Sequence, residues 1–178
     1  MNNYKRILIR PISDCSSLFF YQKANALFLL TDCFVKRYIH PTDRTKDQMI
    51  QAARSGKQNI IEGTADGTTS IEMEIQLLNV SRASIRELKE DYIDYLRIHG
   101  LPIWGVGHPR YSNMLFYCKT HNQSEDYIPI FPKMNDEELA NLAITFSCQI
   151  DVLIHAYQTK IINGSSFDAD RKVRLGIQ

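Results

Sequence analysis

Residues 43 to 63, running from Asp43-Arg44-Thr45 to Ile61-Glu62-Gly63, constrain this chain more than any other stretch, because they hold a helix start, a helix stop and a seam of small residues between them. Thr42 or Asp43 is placed to cap the first turn, Asp43 and Asp47 suit the positive end of a helix, and Gly63 offers a left-handed residue to end it. Met49, Ala53, Gly56 and Ile60 recur at helical spacing with Ala52 and Ser55 beside them. A helix with so little side chain on its inner face lets a second helix come close, and the rest of the chain has to supply that neighbour.

The neighbour follows at once. The short loop Thr64 to Gly67 leads into Thr69-x-x-Glu72, a capping box, and a loop this short implies an antiparallel partner. Ile71, Leu78, Ile85 and Tyr92 then recur seven residues apart, joined by Ile75, Leu88 and Tyr95, until His99-Gly100-Leu101-Pro102 ends the pattern. Upstream, Ser16 or Ser17 can cap a helix that His40-Pro41 stops. Its apolar residues make two stripes, Phe20, Ala24, Leu27, Phe34 and Tyr38 beside Phe19, Ala26, Leu30 and Cys33. Two stripes mean burial on two sides: the helix either sits deep within one bundle or, the preferred reading, faces its own bundle on one side and a neighbouring subunit on the other.

Downstream, Asn135-x-x-Glu138 opens a further helix whose inward stripe is Leu139, Ala143, Phe146, Ile150, Leu153, Tyr157 and Ile161, with Asn163-Gly164 as its stop. The predicted fold is therefore all-α: an up-down-up-down antiparallel four-helix bundle with helices near 17–39, 44–63, 70–98 and 136–162. Residues 1–178 form one domain, with an N-terminal extension (1–15), three helices (16–100), a long connection (101–134), the fourth helix (135–164) and a polar, basic tail (165–178) carrying Arg171, Lys172 and Arg174. The connection alternates Gly, Pro and aromatic residues, among them Trp104, Tyr111, Tyr127 and Phe131. It reads as a packed crossover with a short helix at 113–118 and disorder near 121–126.

A net charge of +1 and a hydrophobic share of 44% describe an ordinary soluble protein and point to no particular partner. Cys15, Cys33, Cys118 and Cys148 are far apart, without a Cys-x-x-Cys pair or a His at ligand spacing, and read as mostly buried, reduced thiols in a cytoplasmic protein. The N-terminal Ile7-Leu8-Ile9 is too short for a secretory signal, and Ala24 to Val35 is too short to span a bilayer. Membrane insertion is not expected.

Four constellations carry candidate chemistry. Di-iron bundles use Glu-x-x-His pairs, and none of the five His residues has Glu three positions before it, so neither a metal nor a cofactor is expected. Glu87, Glu90, Asp91 and Asp94 offer an acidic face for Mg²⁺ and hydrolysis, although Arg86, Lys89 and Arg97 among them favour a solvated face of ion pairs. Arg54, Asn59 and Glu62 share a broad face of the second helix and read as a polar network fixing helix register, with Arg82 or Ser84 as partners. Lys36, Arg37, Arg44, Lys46, Arg54 and Lys57 concentrate positive charge around the first two helices. On sequence alone they read slightly better as a solvated face, but repeated around a ring such a patch becomes a belt able to hold RNA or DNA.

The run "QAARSGKQNIIEG" followed by "TSIEMEIQLLNVSRASIRELKEDYIDYL" resembles the four-helix-bundle proteins of 23S ribosomal RNA intervening sequences, over roughly residues 16 to 100. Asn59, Ile60, Glu62 and Gly63 carry its most specific part. Residues 136 to 165 resemble the C-terminal suffix segment of one branch, with Ala140, Asn141 and Gln149 as markers. The resemblance implies a cyclic homo-oligomer, most simply a homopentamer, and no enzymatic activity. It also implies structural roles for Arg54, Asn59, Glu62 and Gly63. The accessory variability determinant of diversity-generating retroelements is similar in its bundle, is a pentamer, and binds nucleic acid and a reverse transcriptase. On that likeness the expected role is a scaffold or adaptor for nucleic acid or a nucleic-acid enzyme, with a purely structural protein as a further alternative.

Overall fold

The computed structural model describes residues 15–65 and 70–174, the stretch 165–174 by its backbone alone. Every regular element among them is helical: α1 (Phe19–Tyr38), α2 (Thr45–Thr64), α3 (Ile71–Ile98), α4 (Tyr111–Thr120) and α5 (Asp136–Arg174), with 3-10 turns at Cys15–Ser17, Ser124–Asp126 and Phe131–Lys133. The all-α expectation holds. The four long helices are neighbours in cyclic order, α1 on α2, α2 on α3, α3 on α5 and α5 on α1, while α4 lies against α5. Their shared core includes Leu27, Phe34, Met49, Ile60, Leu78, Leu88, Tyr92, Leu139 and Phe146, all but removed from water.

The small-residue seam brings α2 and α3 into close contact. A Cβ added at Gly56 would stand 2.6 Å from Ile85 Cγ1, and one at Gly63 would stand 3.1 Å from Leu77 Cβ. Ser81 donates its hydroxyl to the Gly56 carbonyl at 2.7 Å across this seam. Gly63 therefore serves close approach and not termination, which corrects its reading as a left-handed stop: α2 runs on to Thr64. Among the described residues the glycine at positive φ is Gly100, at 65°. It ends α3 as expected, with the Leu101 N–H donating to the Leu96 carbonyl at 2.8 Å.

Several helix ends differ from expectation, each for a local reason. Neither Ser16 nor Ser17 caps α1; its N-cap is Leu18, reached through the Cys15–Ser17 turn. The first N–H of α2 is taken by Asp43, whose Oδ1 accepts from Thr45 at 2.9 Å. Ser70 caps α3 by accepting from the Met73 N–H at 3.2 Å, whereas Thr69 lies outside the described residues, as does the extension before Cys15. At α5 the predicted box is present, with Asn135 Oδ1 accepting from Glu138 N at 2.9 Å and Glu138 Oε2 accepting from Asn135 N at 3.0 Å. Asn163-Gly164 does not stop this helix, which continues to Arg174, so the start of the predicted tail is helical backbone.

The second stripe of α1 does not wait for another subunit. Ala26 and Leu30 are as buried as Ala24 and Leu27, because α2, α5 and the 3-10 turns of the same chain surround α1. Of that stripe Phe19 remains 53% exposed. Residues 136 to 164 of α5 are long and apolar enough to cross a membrane, yet 56% of the apolar window is buried inside the protein, as in a core helix.

The 101–134 connection is ordered throughout. The Trp104 backbone N–H donates to Asn141 Oδ1 at 2.7 Å and its indole N–H to Glu137 Oε1 at 2.7 Å, pinning the connection to the first turns of α5. At its far end Arg37 donates to the carbonyls of Phe131 at 3.0 Å and Met134 at 2.9 Å. Between them, Ser124 donates its N–H to Gln22 Oε1 at 3.1 Å and accepts on its hydroxyl from Asn25 at 3.0 Å. These two bonds, one buried and one partly buried, tie Ser124 to α1 within the stretch expected to be disordered, and the short helix is longer than predicted, Tyr111–Thr120.

Candidate functional site

The six basic candidates divide. Arg37 is spent on the Phe131 and Met134 carbonyls and stacks on Tyr38 at 4.8 Å, so it anchors the connection instead of facing a ligand. Lys36 pairs with Asp32 at 2.6 Å on an exposed turn. Arg44 stands exposed at the start of α2. Lys46, Arg54 and Lys57, at i, i+8 and i+11, share one flank of α2. That flank borders α1, since the Lys57 ammonium sits 4.2 Å over the Phe28 ring. No carboxylate among the described residues pairs with these three. Partial burial and the charge of Arg54 hold Lys57 below the usual lysine range.

The trio Arg54, Asn59 and Glu62 does not assemble into one network. Arg54 and Glu62 are exposed. Asn59 is half-buried and donates to the Ser55 carbonyl at 2.9 Å, while Ser55 shares a 2.9 Å hydroxyl bond with Ser84 of α3. So Ser84 is the cross-helix partner, reached through Ser55, and Arg82 turns instead to Asp151 of α5 at 2.8 Å. Arg86 joins the same carboxylate at 3.1 Å, and the Arg82 hydrogen bond holds Asp151 below the usual carboxylate range.

On the acidic face, burial, then Glu87, then Asp94, push the half-buried Asp91 carboxyl above its usual range. Asp91 and Asp94 border a cavity of about 420 Å³ together with His40, Asp43 and His99. Even so, among the described residues no three His, Cys, Asp or Glu side chains converge closely enough to hold a metal ion.

One recess was missed in the sequence. Between the start of α1, α4 and the middle of α5 lies a cavity of about 640 Å³, lined mainly by apolar side chains such as Phe19, Leu115, Ile144, Val152 and Leu153, with Trp104 and Tyr111 at its edge. Two lysines line it, the exposed Lys119 and the buried Lys23. Lys23 is 4% exposed, and its ammonium donates to the Cys118 carbonyl at 2.7 Å and stands 5.7 Å from the Phe146 ring. Burial lowers its pKa, and burial pushes the adjacent Cys118 thiol up to about 11, which keeps that thiol neutral near pH 7. Gln149 also lines the cavity, and its Oε1 is buried without a hydrogen-bond partner among the described residues.

The thiols are less uniform than expected: Cys118 is buried, Cys148 is exposed at the cavity rim, and Cys15 and Cys33 are half-buried. The signal that could have found the cavity was a lysine, Lys23, in the middle of an apolar helical run, opposite a Gly, Pro and aromatic segment with no face of its own. No protein-family model matches this chain, and no curated protein and no solved structure matches it either.

Proposed function

We propose that the chain is a non-enzymatic scaffold or adaptor: an up-down-up-down antiparallel four-helix bundle, assembled as a cyclic homo-oligomer of five subunits in the cytoplasm, that holds RNA or DNA, or a nucleic-acid enzyme such as a reverse transcriptase, along its α1–α2 edge. The observation behind it is the flank of Lys46, Arg54 and Lys57, three cations on one side of α2 with no carboxylate pairing them among the described residues. Burial first, and the neighbouring Arg54 charge second, lower the pKa of Lys57, and a phosphate backbone relieves the repulsive part while releasing its own counterions. A ring multiplies a modest patch into a belt.

The competing reading is a Mg²⁺-dependent hydrolase on Glu87, Glu90, Asp91 and Asp94. Burial, then the charges of Glu87 and Asp94, raise Asp91, and a divalent cation would offset both, but no three ligands converge there among the described residues.

Light scattering followed by binding of labelled RNA and DNA across a salt series tests the proposal. A five-subunit mass, with salt-sensitive binding abolished in Lys46→Glu/Arg54→Glu/Lys57→Glu, is the expected result. A monomer without binding would discard the ring and the belt together. A rise in Tm with Mg²⁺ that disappears in Glu90→Gln/Asp91→Asn would move the function to the acidic face.

A further inference from the structure

Lys23 is an electrostatic anomaly. A buried ammonium is normally matched by a carboxylate, because desolvating an unpaired charge is expensive. Here the one hydrogen bond goes to a neutral carbonyl, the Phe146 ring supplies only a weak quadrupole, and the neighbouring thiol stays protonated. No Asp or Glu among the described residues pairs with it. The ammonium has three N–H donors, so two remain at the edge of a cavity whose volume, about 640 Å³, falls in the range of small-molecule sites. Beside it Gln149 holds a second unmet need, an acceptor without a donor.

We infer that this cavity binds an amphipathic carboxylate of fatty-acid type, its carboxylate on the Lys23 ammonium and its hydrocarbon chain along Leu115, Ile144, Val152 and Leu153. Of the two lysines in the lining, Lys119 is exposed and solvated, so the one buried charge to be matched is the Lys23 ammonium, which suits a monoanion. The opening is flanked by Phe19 and Val152, which are 53% and 66% exposed, so an alkyl chain entering there covers apolar surface that is otherwise wet. Gln149 Oε1 is positioned to accept from a hydroxyl carried by such an acid, or from a water that enters with it. Neither the scaffold role nor the α1–α2 edge is needed for this site, which lies on another face of α1.

Trp104 is the sole tryptophan of the chain and lines the cavity, so its emission reports occupancy directly. Dodecanoate, kept below its micelle concentration, is expected to change that emission saturably, and dodecanol to bind about tenfold or more weakly. Lys23→Met, a substitution of similar volume that removes a buried charge, should fold normally by circular dichroism and bind acid and alcohol equally. Val152→Phe, at the exposed rim, should weaken both alike. The inference fails if dodecanoate gives no saturable change in the full chain, or if wild type already binds acid and alcohol with equal affinity. It fails also if light scattering finds a dimer that Val152→Asp separates and whose formation itself shifts Trp104, which would give the cavity to a second copy of the chain.

Discussion

Among the described residues two lysines sit over aromatic rings, and they do opposite things. Lys57 rests 4.2 Å above Phe28 at the edge between α1 and α2, half in water, as one of a row with Lys46 and Arg54. Lys23 stands 5.7 Å from Phe146, 4% exposed, the one buried charge in the lining of a mainly apolar cavity whose other lysine, Lys119, is exposed. At the edge, charges act collectively, each contributes little, and salt screens them. In the cavity a single charge acts in a low dielectric, where salt hardly reaches it and one counter-charge changes a great deal. The residue type is the same; its surroundings decide whether it serves a diffuse polyanion or one discrete anion.

That contrast can be broken hardest at the seam. Gly56→Ala drives a methyl group into Ile85 and should lose about 1–3 kcal/mol of stability, read from the urea midpoint. It displaces α2, and with it the basic edge, so nucleic-acid binding should weaken while dodecanoate affinity at 25 °C holds. If dodecanoate binding fell in parallel, the two regions would not be independent.

A smaller perturbation sharpens the contrast. Lys57→Gln should lower the slope of log K against log salt for RNA binding by about one, and Lys23→Met should leave that slope unchanged. An equal change in both variants would erase the distinction between a screened and an unscreened lysine.

The smallest effect belongs to the acidic face, which takes part in neither region. Because the folded-state pKa of Asp91 is raised by burial, Glu87 and Asp94, the folded chain holds that proton more tightly than the unfolded one. Its contribution to stability is therefore most favourable at low pH and declines as pH rises through the folded pKa. Asp91→Asn should raise Tm slightly at neutral pH, with the gain vanishing below about pH 4. A lower Tm at neutral pH would mean that the ionised carboxylate makes a favourable contact, such as a bound cation.

How much of this was legible follows from how locally each feature is encoded. The α2 seam and the heptads of α3 are written in spacing, and Gly56, Ile60, Leu78, Ile85 and Tyr92 are buried where that spacing puts them. Terminators were less readable. Gly63 and Asn163-Gly164 have the chemistry of a stop, but packing against Leu77 holds Gly63 inside a helix, and α5 runs straight through Gly164. The basic edge was half visible: charge could be counted, but only the fold reveals that Arg37 is committed to Phe131 and Met134. The cavity was the least legible feature, signalled only by a lysine, Lys23, within an apolar run. Its walls come from α1, α4 and α5, and the segment between α3 and α5 has no periodicity to say which side chains turn inward. The markers Asn141 and Gln149 gave a hint that only coordinates explain, since Asn141 holds Trp104 and Gln149 faces the cavity with an unmet acceptor.

The bonds that tie α1 to the far connection also set an order in time. Ser81 to Gly56 and Ser55 to Ser84 join residues close in the chain, whereas Lys23 to Cys118, Asn25 to Ser124 and Gln22 to Ser124 close loops of 95, 99 and 102 residues. Loop closure delays distant contacts, so the α2–α3 pair is expected to form in the folding nucleus and the cavity wall to zip shut after it. Substitutions around Lys23 should then accelerate unfolding and leave the refolding rate almost untouched, and an occupant of the cavity should act as a late latch, lengthening the life of the folded state without hastening its arrival.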